Sequence, residues 1–336
     1  MFPFLRQPKR PADPVAEARI RQLQALEAGD ILCPKCGARL PPPHPPPLEM
    51  RECPGCGTLS LSPLTVGHFW LTEPLGGGGM GSVYLALDST NPGSACAIKV
   101  LARNEKQKIR RMQTLCKEIQ VARSLPPHPS LPTFIDGGYD NGEYYLAMEL
   151  MAGERLDQWV EGRGRLSEAQ ALLMALHLLA AEQLLFDAGF LYRDLKPENI
   201  LVRPGGYTAL VDYGLVITTC QGANPAGRRL AGSPYFIPPE RVMGQPEDAR
   251  GELYSLGQVL YYALIGQTLY DADEIEDLVI RHVARLRIPL AQKLQKLRPE
   301  LAAVMVLLMA QQPDKRYPDF ATAGAALQAL LPTAAA

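Results

Sequence analysis

Long apolar runs are missing from this chain: nowhere in its 336 residues is there a stretch close to the roughly 20 apolar residues a membrane-spanning helix needs. The most apolar segment, Ala169 to Leu185, is interrupted by Gln170, His177, Glu182 and Gln183 and reads as a buried helix. Excess charge is missing too. With 34 Lys and Arg against 35 Asp and Glu, the formal net charge is −1, which excludes a dominant electrostatic pull toward nucleic acid or an anionic membrane. The N-terminus, Met1-Phe2-Pro3-Phe4-Leu5-Arg6, lacks the continuous apolar core and cleavage pattern of a signal peptide, so a cytoplasmic location is expected. No internal repeat runs through the larger part of the chain. What is present is 47% hydrophobic residues, ample for a buried core, over a length that suits one large two-lobed domain and an appendage.

The appendage is marked by cysteine. Of seven cysteines, four form the pairs Cys33-Pro34-Lys35-Cys36-Gly37 and Cys53-Pro54-Gly55-Cys56-Gly57, with 16 residues between Cys36 and Cys53. A Cys-x-x-Cys turn points two thiolates at one ion, and the glycine after it permits a tight knuckle. Two knuckles complete a closed set of four thiolates, which favours a structural Zn2+. An iron site uses similar knuckles and is the competing ion; a redox role would need only one pair. The arrangement resembles a zinc ribbon over residues 31–62. His44 lies within Pro41-Pro42-Pro43-His44-Pro45-Pro46-Pro47, an extended polyproline stretch, and reads as a solvated loop residue. Cys96, Cys116 and Cys220 read as ordinary small residues. The ribbon's charges, Lys35, Arg39 and Arg51 against Glu49 and Glu52, do not speak for nucleic acid. Binding a regulatory protein partner, or packing on the larger domain, is expected instead. Before it, residues 1–30 form a leader with a short helix from Val15 to Ala28, in which Ile20, Leu23 and Leu26 share one face. The tail, Pro332 to Ala336, is expected to fray.

The chemistry is concentrated in Leu191-Tyr192-Arg193-Asp194-Leu195-Lys196-Pro197-Glu198-Asn199. An acid, a cation and an amide stand here at fixed offsets. Asp194 can orient a hydroxyl and accept its proton, Lys196 can neutralise a transferring phosphate, and Asn199 can hold a magnesium ion. Downstream, Asp212-Tyr213-Gly214 adds a second oxygen ligand suited to a hard cation. Upstream, Lys99 interrupts the apolar strand Ala95 to Val100, an unusual position for an unpaired charge. Further upstream, Gly76, Gly78 and Gly81 form a glycine-rich turn before Val83. Taken alone, that turn would be a flexible hairpin.

Together and in this order these motifs resemble Hanks-type serine/threonine protein kinases of the bacterial kind. The resemblance runs from about Val66 to Leu331. It implies an α+β bilobal protein kinase fold, with an N-lobe over 66–150 and a C-lobe over 151–331, preceded by the zinc-ribbon module. It also implies an ATP- and Mg2+-dependent transfer of the γ-phosphate to Ser/Thr hydroxyls of a protein substrate. The glycines cover the phosphates. Glu118, in the helical run Gln107 to Ser124, pairs with Lys99, which holds the α- and β-phosphates. Val83, Ala97, Met148 and Leu201 contact the adenine, and the backbone of Glu149 and Met151 pairs with it. Asn199 and Asp212 hold Mg2+, and Asp194 and Lys196 complete the catalytic set. Ala231 to Glu240 resembles the segment that receives the peptide, with Glu240 in a structural pair with Arg316. Arg193 suggests regulation, because in such kinases it meets a phosphate on the activation segment; Thr218, Thr219 and Ser233 are the candidates to carry it, and Arg228 and Arg229 could attract an acidic group.

Three positions depart from the family pattern: Tyr192 for histidine, Tyr213 for phenylalanine, and Glu252 for the aspartate that braces the catalytic-loop backbone. Both tyrosine hydroxyls, if buried, need partners. None of the three performs the chemistry. A nucleotide-binding pseudokinase that presents its ribbon to a partner is the alternative function.

Overall fold

A computed structural model describes residues 13–78, 81–101, 108–224, 232–272, 274–283 and 290–331. Gly79 and Met80 of the glycine turn, Arg228 and Arg229, the first twelve residues of the leader and the tail from Pro332 lie outside the described residues. The elements run α1 (Pro14–Glu27), β1 (Met50–Glu52), β2 (Leu59–Leu61), β3 (Leu64–Val66), β4 (Phe69–Gly78), β5 (Gly81–Asp88), β6 (Ala95–Val100), α2 (Lys108–Ser124), β7 (Phe134–Asp140), β8 (Glu143–Glu149) and β9 (Glu154–Arg155). They continue with α3 (Leu156–Arg163), α4 (Glu168–Asp187), β10 (Phe190–Leu191), β11 (Ile200–Val202), β12 (Thr208–Leu210), β13 (Ile217–Thr218), α5 (Thr219–Ala223), α6 (Pro239–Val242), α7 (Ala249–Ile265), α8 (Ile275–Val283), α9 (Leu290–Lys293), α10 (Pro299–Leu308) and α11 (Phe320–Gln328). Two compact units result: one from residues up to Cys116 with Phe134–Leu150, the other from Lys117–Thr133 with the residues from Met151 onward.

The first unit is built on a six-stranded antiparallel sheet of order β3-β4-β5-β6-β8-β7. The β7–β8 hairpin turns through Asn141 and Gly142 at φ 48° and 82°. Positive φ at both central residues is the two-residue turn whose twist matches paired strands, and Asn-Gly is its preferred sequence. One face of the sheet carries a core of Val66, Phe69, Leu71, Ala86, Ile98, Val100 and Ala147, and Leu61 and Leu48 from the cysteine segment pack into that same core. Helix α1 starts at Asp13, whose carboxylate accepts the Val15 N–H at 3.0 Å. Its Leu23 and Leu26 are buried against Leu87, with Leu85, Ala95 and Trp70 alongside. Each such leucine, once buried, contributes roughly 1.5–3 kcal/mol. Ile31 packs against that cluster and also against Cys33, Leu40 and Cys53, so helix, knuckles and sheet are continuous through apolar contact.

The second unit is mainly helical around α4. Ser167 and Gln170 form a reciprocal capping box at its start, and its apolar face is buried from Ala171 to Leu185. By length and composition α4 is, among the described residues, the one helix apolar enough to cross a membrane, but half of its most apolar window is buried by neighbouring elements of the fold. One charged residue of it lies in that buried interior. Glu182 is buried, and neither carboxylate oxygen has a hydrogen-bond partner within the described residues. Burial, and then the nearby Glu252 carboxylate, push Glu182 well above its ordinary value of 4.5. A folded-state value above the unfolded one makes stability fall as pH rises from 4.5 through the folded value. Glu182→Gln therefore gains stability over the wild type at pH 8 and gains less at pH 5, read from urea unfolding at the two pH values.

Glu240, at the start of α6, meets Arg316 in a bidentate pair, Nη1 to Oε1 at 2.7 Å and Nη2 to Oε2 at 2.8 Å. Both side chains are buried, and the guanidinium also donates to the carbonyls of Ala310, Gln311 and Arg250. Removing one partner strands the other charge, so Glu240→Ala is expected to cost about 3–5 kcal/mol in chemical denaturation.

Candidate active site

The run from Leu191 to Asn199 leaves β10, which pairs with β13, and ends in a single 3-10 turn over Pro197–Asn199 that leads into β11. That path turns Asp194 inward. One carboxylate oxygen, Oδ2, accepts from Lys196 Nζ at 2.8 Å and from Asn199 Nδ2 at 2.8 Å. Asn199 Nδ2 also reaches the Asp194 carbonyl at 2.9 Å, so its amide is oriented and its oxygen points elsewhere. The other oxygen of Asp194, Oδ1, is buried and has no hydrogen-bond partner within the described residues. Burial raises the Asp194 pKa, and the Lys196 ammonium opposes the shift. The result is a buried base with one oxygen held and one ready to accept a proton.

The N–H of Val211 donates to the Asn199 carbonyl at 2.9 Å, which brings Asp212 beside the loop. Asp212 adopts φ 71°, and its Oδ1 accepts the Gly214 N–H at 2.9 Å. Tyr192 is fully buried, and its hydroxyl donates to the Val211 carbonyl at 2.6 Å. Tyr213 is also buried, but its hydroxyl has no partner within the described residues; burial pushes it well above the ordinary tyrosine value.

Residue 193 is fixed from three sides. Its φ is 69°, a left-handed conformation that costs a non-glycine residue energy. The Arg193 N–H donates to both oxygens of Glu252 at 3.0 and 3.2 Å, so the longer acid still reaches the loop backbone. Its carbonyl accepts from Arg241 Nη1 at 2.7 Å. Its guanidinium donates to Glu247 at 2.8 and 3.3 Å. A carboxylate of the chain itself is thus seated on the guanidinium that the family resemblance assigns to a phosphate. Thr218 caps α5 through a capping box with Gln221, the Thr219 N–H donates to the Gly189 carbonyl at 2.8 Å, and Ser233 is half-buried with its carbonyl accepting from Phe236 N–H at 3.1 Å.

In the first unit, strand register aligns the residues assigned to the nucleotide. Gly76 stands opposite Val83, Val83 opposite Lys99, Lys99 opposite Leu146, and Ala97 opposite Met148. Directly opposed residues, and residues two apart on one strand, share a face. Val83, Ala97, Lys99 and Met148 thus lie on the face opposite the one that carries Ile98, Val100 and Ala147. Gly78 pairs with Gly81 where β4 turns into β5. Lys99 and Glu118 are both buried, in the first and the second unit respectively. Met151 and Leu201 belong to the second unit, where Leu201 pairs with Arg155 and Ala209.

The cysteines form a second candidate site. The two knuckles repeat each other: Gly37 N–H donates to the Cys33 carbonyl at 2.9 Å and Gly57 N–H to the Cys53 carbonyl at 2.8 Å, with the glycines at φ 70° and 69°. All four Sγ atoms lie within 4.8 Å of one another, with Cys33–Cys56 at 3.6 Å and Cys36–Cys53 at 3.7 Å. A tetrahedral ion with bonds near 2.3 Å to sulfur requires edges of about 3.8 Å, so the thiols fit zinc. His44 is not among them; its Nδ1 lies 3.4 Å from Arg51 Nη1 in the proline loop.

The sequence profile of the protein kinase domain matches residues 69–328. The chain belongs to the protein kinase family. Similar proteins include the probable serine/threonine-protein kinase pknA2 of Bifidobacterium longum, 30% identical over 270 residues that cover 79% of this chain and 35% of that protein. Serine/threonine-protein kinase PrkC of Bacillus subtilis is 28% identical over 255 residues, 75% of this chain and 38% of its own length. Serine/threonine-protein kinase PknA of Mycobacterium tuberculosis is 30% identical over 271 residues, 78% and 62%. The alignments thus span between 35% and 62% of the length of these relatives.

Within the kinase domain, sequence reasoning missed Glu247 and Arg241. Six residues apart in a polar stretch, they carry no motif, and only the fold brings both onto Arg193, with Arg241 Nε 2.7 Å from Glu247 Oε2. It missed Glu182 for another reason: one acid in an apolar helix is read as a break in the apolar run.

Proposed function

We propose that this chain is an ATP- and Mg2+-dependent kinase that phosphorylates Ser and Thr hydroxyls of protein substrates. The observation that carries this reading is the Asp194 carboxylate, held through Oδ2 by Lys196 and Asn199 and open at the buried Oδ1. Bound magnesium-ATP supplies the γ-phosphoryl group and shields its charge. Asp194 Oδ1 aligns the substrate hydroxyl and accepts its proton. Lys196 stands beside the same carboxylate and stabilises negative charge on the group in transfer. The Asn199 amide oxygen and the Asp212 carboxylate are the residues that would hold magnesium. Lys99, paired with Glu118, would hold the α- and β-phosphates under the Gly76, Gly78 and Gly81 turn. Val83, Ala97, Met148 and Leu201, with the backbone of Glu149 and Met151, would receive the adenine.

The four thiolates would hold a structural zinc. We assign residues 31–62 and the leader helix to bracing the strand-rich lobe, 66–150, ahead of the helical lobe, 151–331. The ribbon's exposed knuckle tips are the surface a regulatory partner could use. Thiol pairs kept reduced for zinc fit a cytoplasmic setting.

The test is phosphate incorporation into a generic Ser/Thr peptide with magnesium-ATP, with phosphoamino-acid analysis of the product. Phosphoserine or phosphothreonine is the expected result. Bound nucleotide with no transfer under any condition would assign the chain to the pseudokinase alternative.

A further inference from the structure

Arg193 stands next to the catalytic base, and its N–H, its carbonyl and the Nε–Nη2 edge of its guanidinium are engaged by three side chains of this chain. Glu252 takes its N–H, Arg241 takes its carbonyl, and Glu247 takes its guanidinium. Glu247 also accepts from Arg241 Nε at 2.7 Å, and the paired side chains of Arg193, Glu247 and Arg241 are all less than a tenth exposed. The Glu247 N–H donates to the Gly222 carbonyl at 3.0 Å, so one residue joins the catalytic loop to the segment that follows Asp212. Two guanidinium groups here face the acids Glu247 and Glu252, the second pushed up to about 7 by burial. A phosphate brings about −1.5 to −2 charges. Arriving at Arg193, it would have to displace a buried, doubly bonded carboxylate or lie against it with like charge.

We propose that Glu247 is a positioning residue for phosphoryl transfer: a built-in counter-charge that holds Arg193, and through it Asp194, without a phosphate on the activation segment. The inference rests on the kinase reading above. It assigns the segment's threonines a structural part, as the Thr218 cap of α5 already has, instead of a switch.

The test uses the full chain, stripped of phosphate by a phosphatase and verified by intact mass. Phosphate-free enzyme transfers phosphate to peptide at a constant rate from the first turnovers. A lag, or a rise of about tenfold or more as autophosphorylation proceeds, overturns the proposal. Glu247→Gln lowers kcat by about tenfold or more with the KM for ATP within about threefold of wild type, and Glu247→Asp recovers most of the loss. A loosened fold alone would not give that split or that recovery. Glu247→Gln with a wild-type kcat also overturns it; should this variant fail to fold, the phosphate-free wild type decides alone. Wild-type protein inactive both with and without phosphate removes the kinase reading itself, and this proposal with it. Activity only in the phosphorylated form removes this proposal and leaves the kinase reading standing.

Discussion

Asp194→Asn lowers the rate of phosphoryl transfer by about 10²- to 10⁴-fold, the range that a positioned acid–base group contributes. The substitution keeps the shape of the side chain and removes its basicity. Oδ1 is the atom that matters: it is buried and unpartnered within the described residues, while Oδ2 is occupied by Lys196 and Asn199. An amide in that place offers no site for the hydroxyl proton. The fold is expected to tolerate the change, because burial already works against the charged form of this acid. Initial rates on a Ser/Thr peptide, beside thermal unfolding of the same preparation, separate the two effects. A variant with wild-type rate would remove Asp194 from the mechanism, and a collapsed unfolding temperature would make the rate uninformative.

Loss of the metal from the four thiolates should destabilise the strand-rich unit as well as the ribbon. Structural zinc contributes on the order of 10–16 kcal/mol to isolated finger peptides. Here the ribbon shares its apolar residues with the sheet: Leu48 and Leu61 pack with Val66, Phe69 and Ile98, and Ile31 joins Cys33 and Cys53 to the α1 contact. Unfolding the knuckles withdraws those side chains. If about 4 kcal/mol of the metal's contribution is felt by the larger protein, the midpoint falls by roughly 10 °C. Cys53→Ser, or extraction with a strong chelator, should produce that fall together with the loss of about one equivalent of zinc, measured by elemental analysis. A protein that retains its midpoint after losing its metal would show that the ribbon folds and packs without it. A metal that proves to be iron would leave the stability argument intact and change the assignment of the ion.

Legibility followed how local the information was. The knuckles were readable because Cys-x-x-Cys-Gly is a complete local geometry: two thiols, one turn and one positive-φ glycine, repeated at Gly37 and Gly57. The β7–β8 turn is equally local, since Asn-Gly is the preferred pair for two successive positive φ values. Tyr192 and Tyr213 were recognised as hydroxyls in need of partners, but which one would find a partner depended on the Val211 carbonyl, which lies 2.6 Å from the first hydroxyl. The sequence neighbours of Arg193 say nothing about what faces its guanidinium, and only the fold brings Glu247 onto it. Glu252 is one methylene longer than the aspartate it replaces, and its two oxygens share the Arg193 N–H, which is how the loop accommodates it.

By itself the sequence determined the family, the order of the catalytic groups and the paired cysteine knuckles. Each of these rests on short-range spacing, which the backbone converts directly into geometry. Tertiary structure alone decided what the buried charges do. Arg193 meets Glu247 across 54 positions and Arg316 meets Glu240 across 76. A buried ion takes its partner from whatever the fold packs against it, because inside the protein no water remains to stand in for that partner.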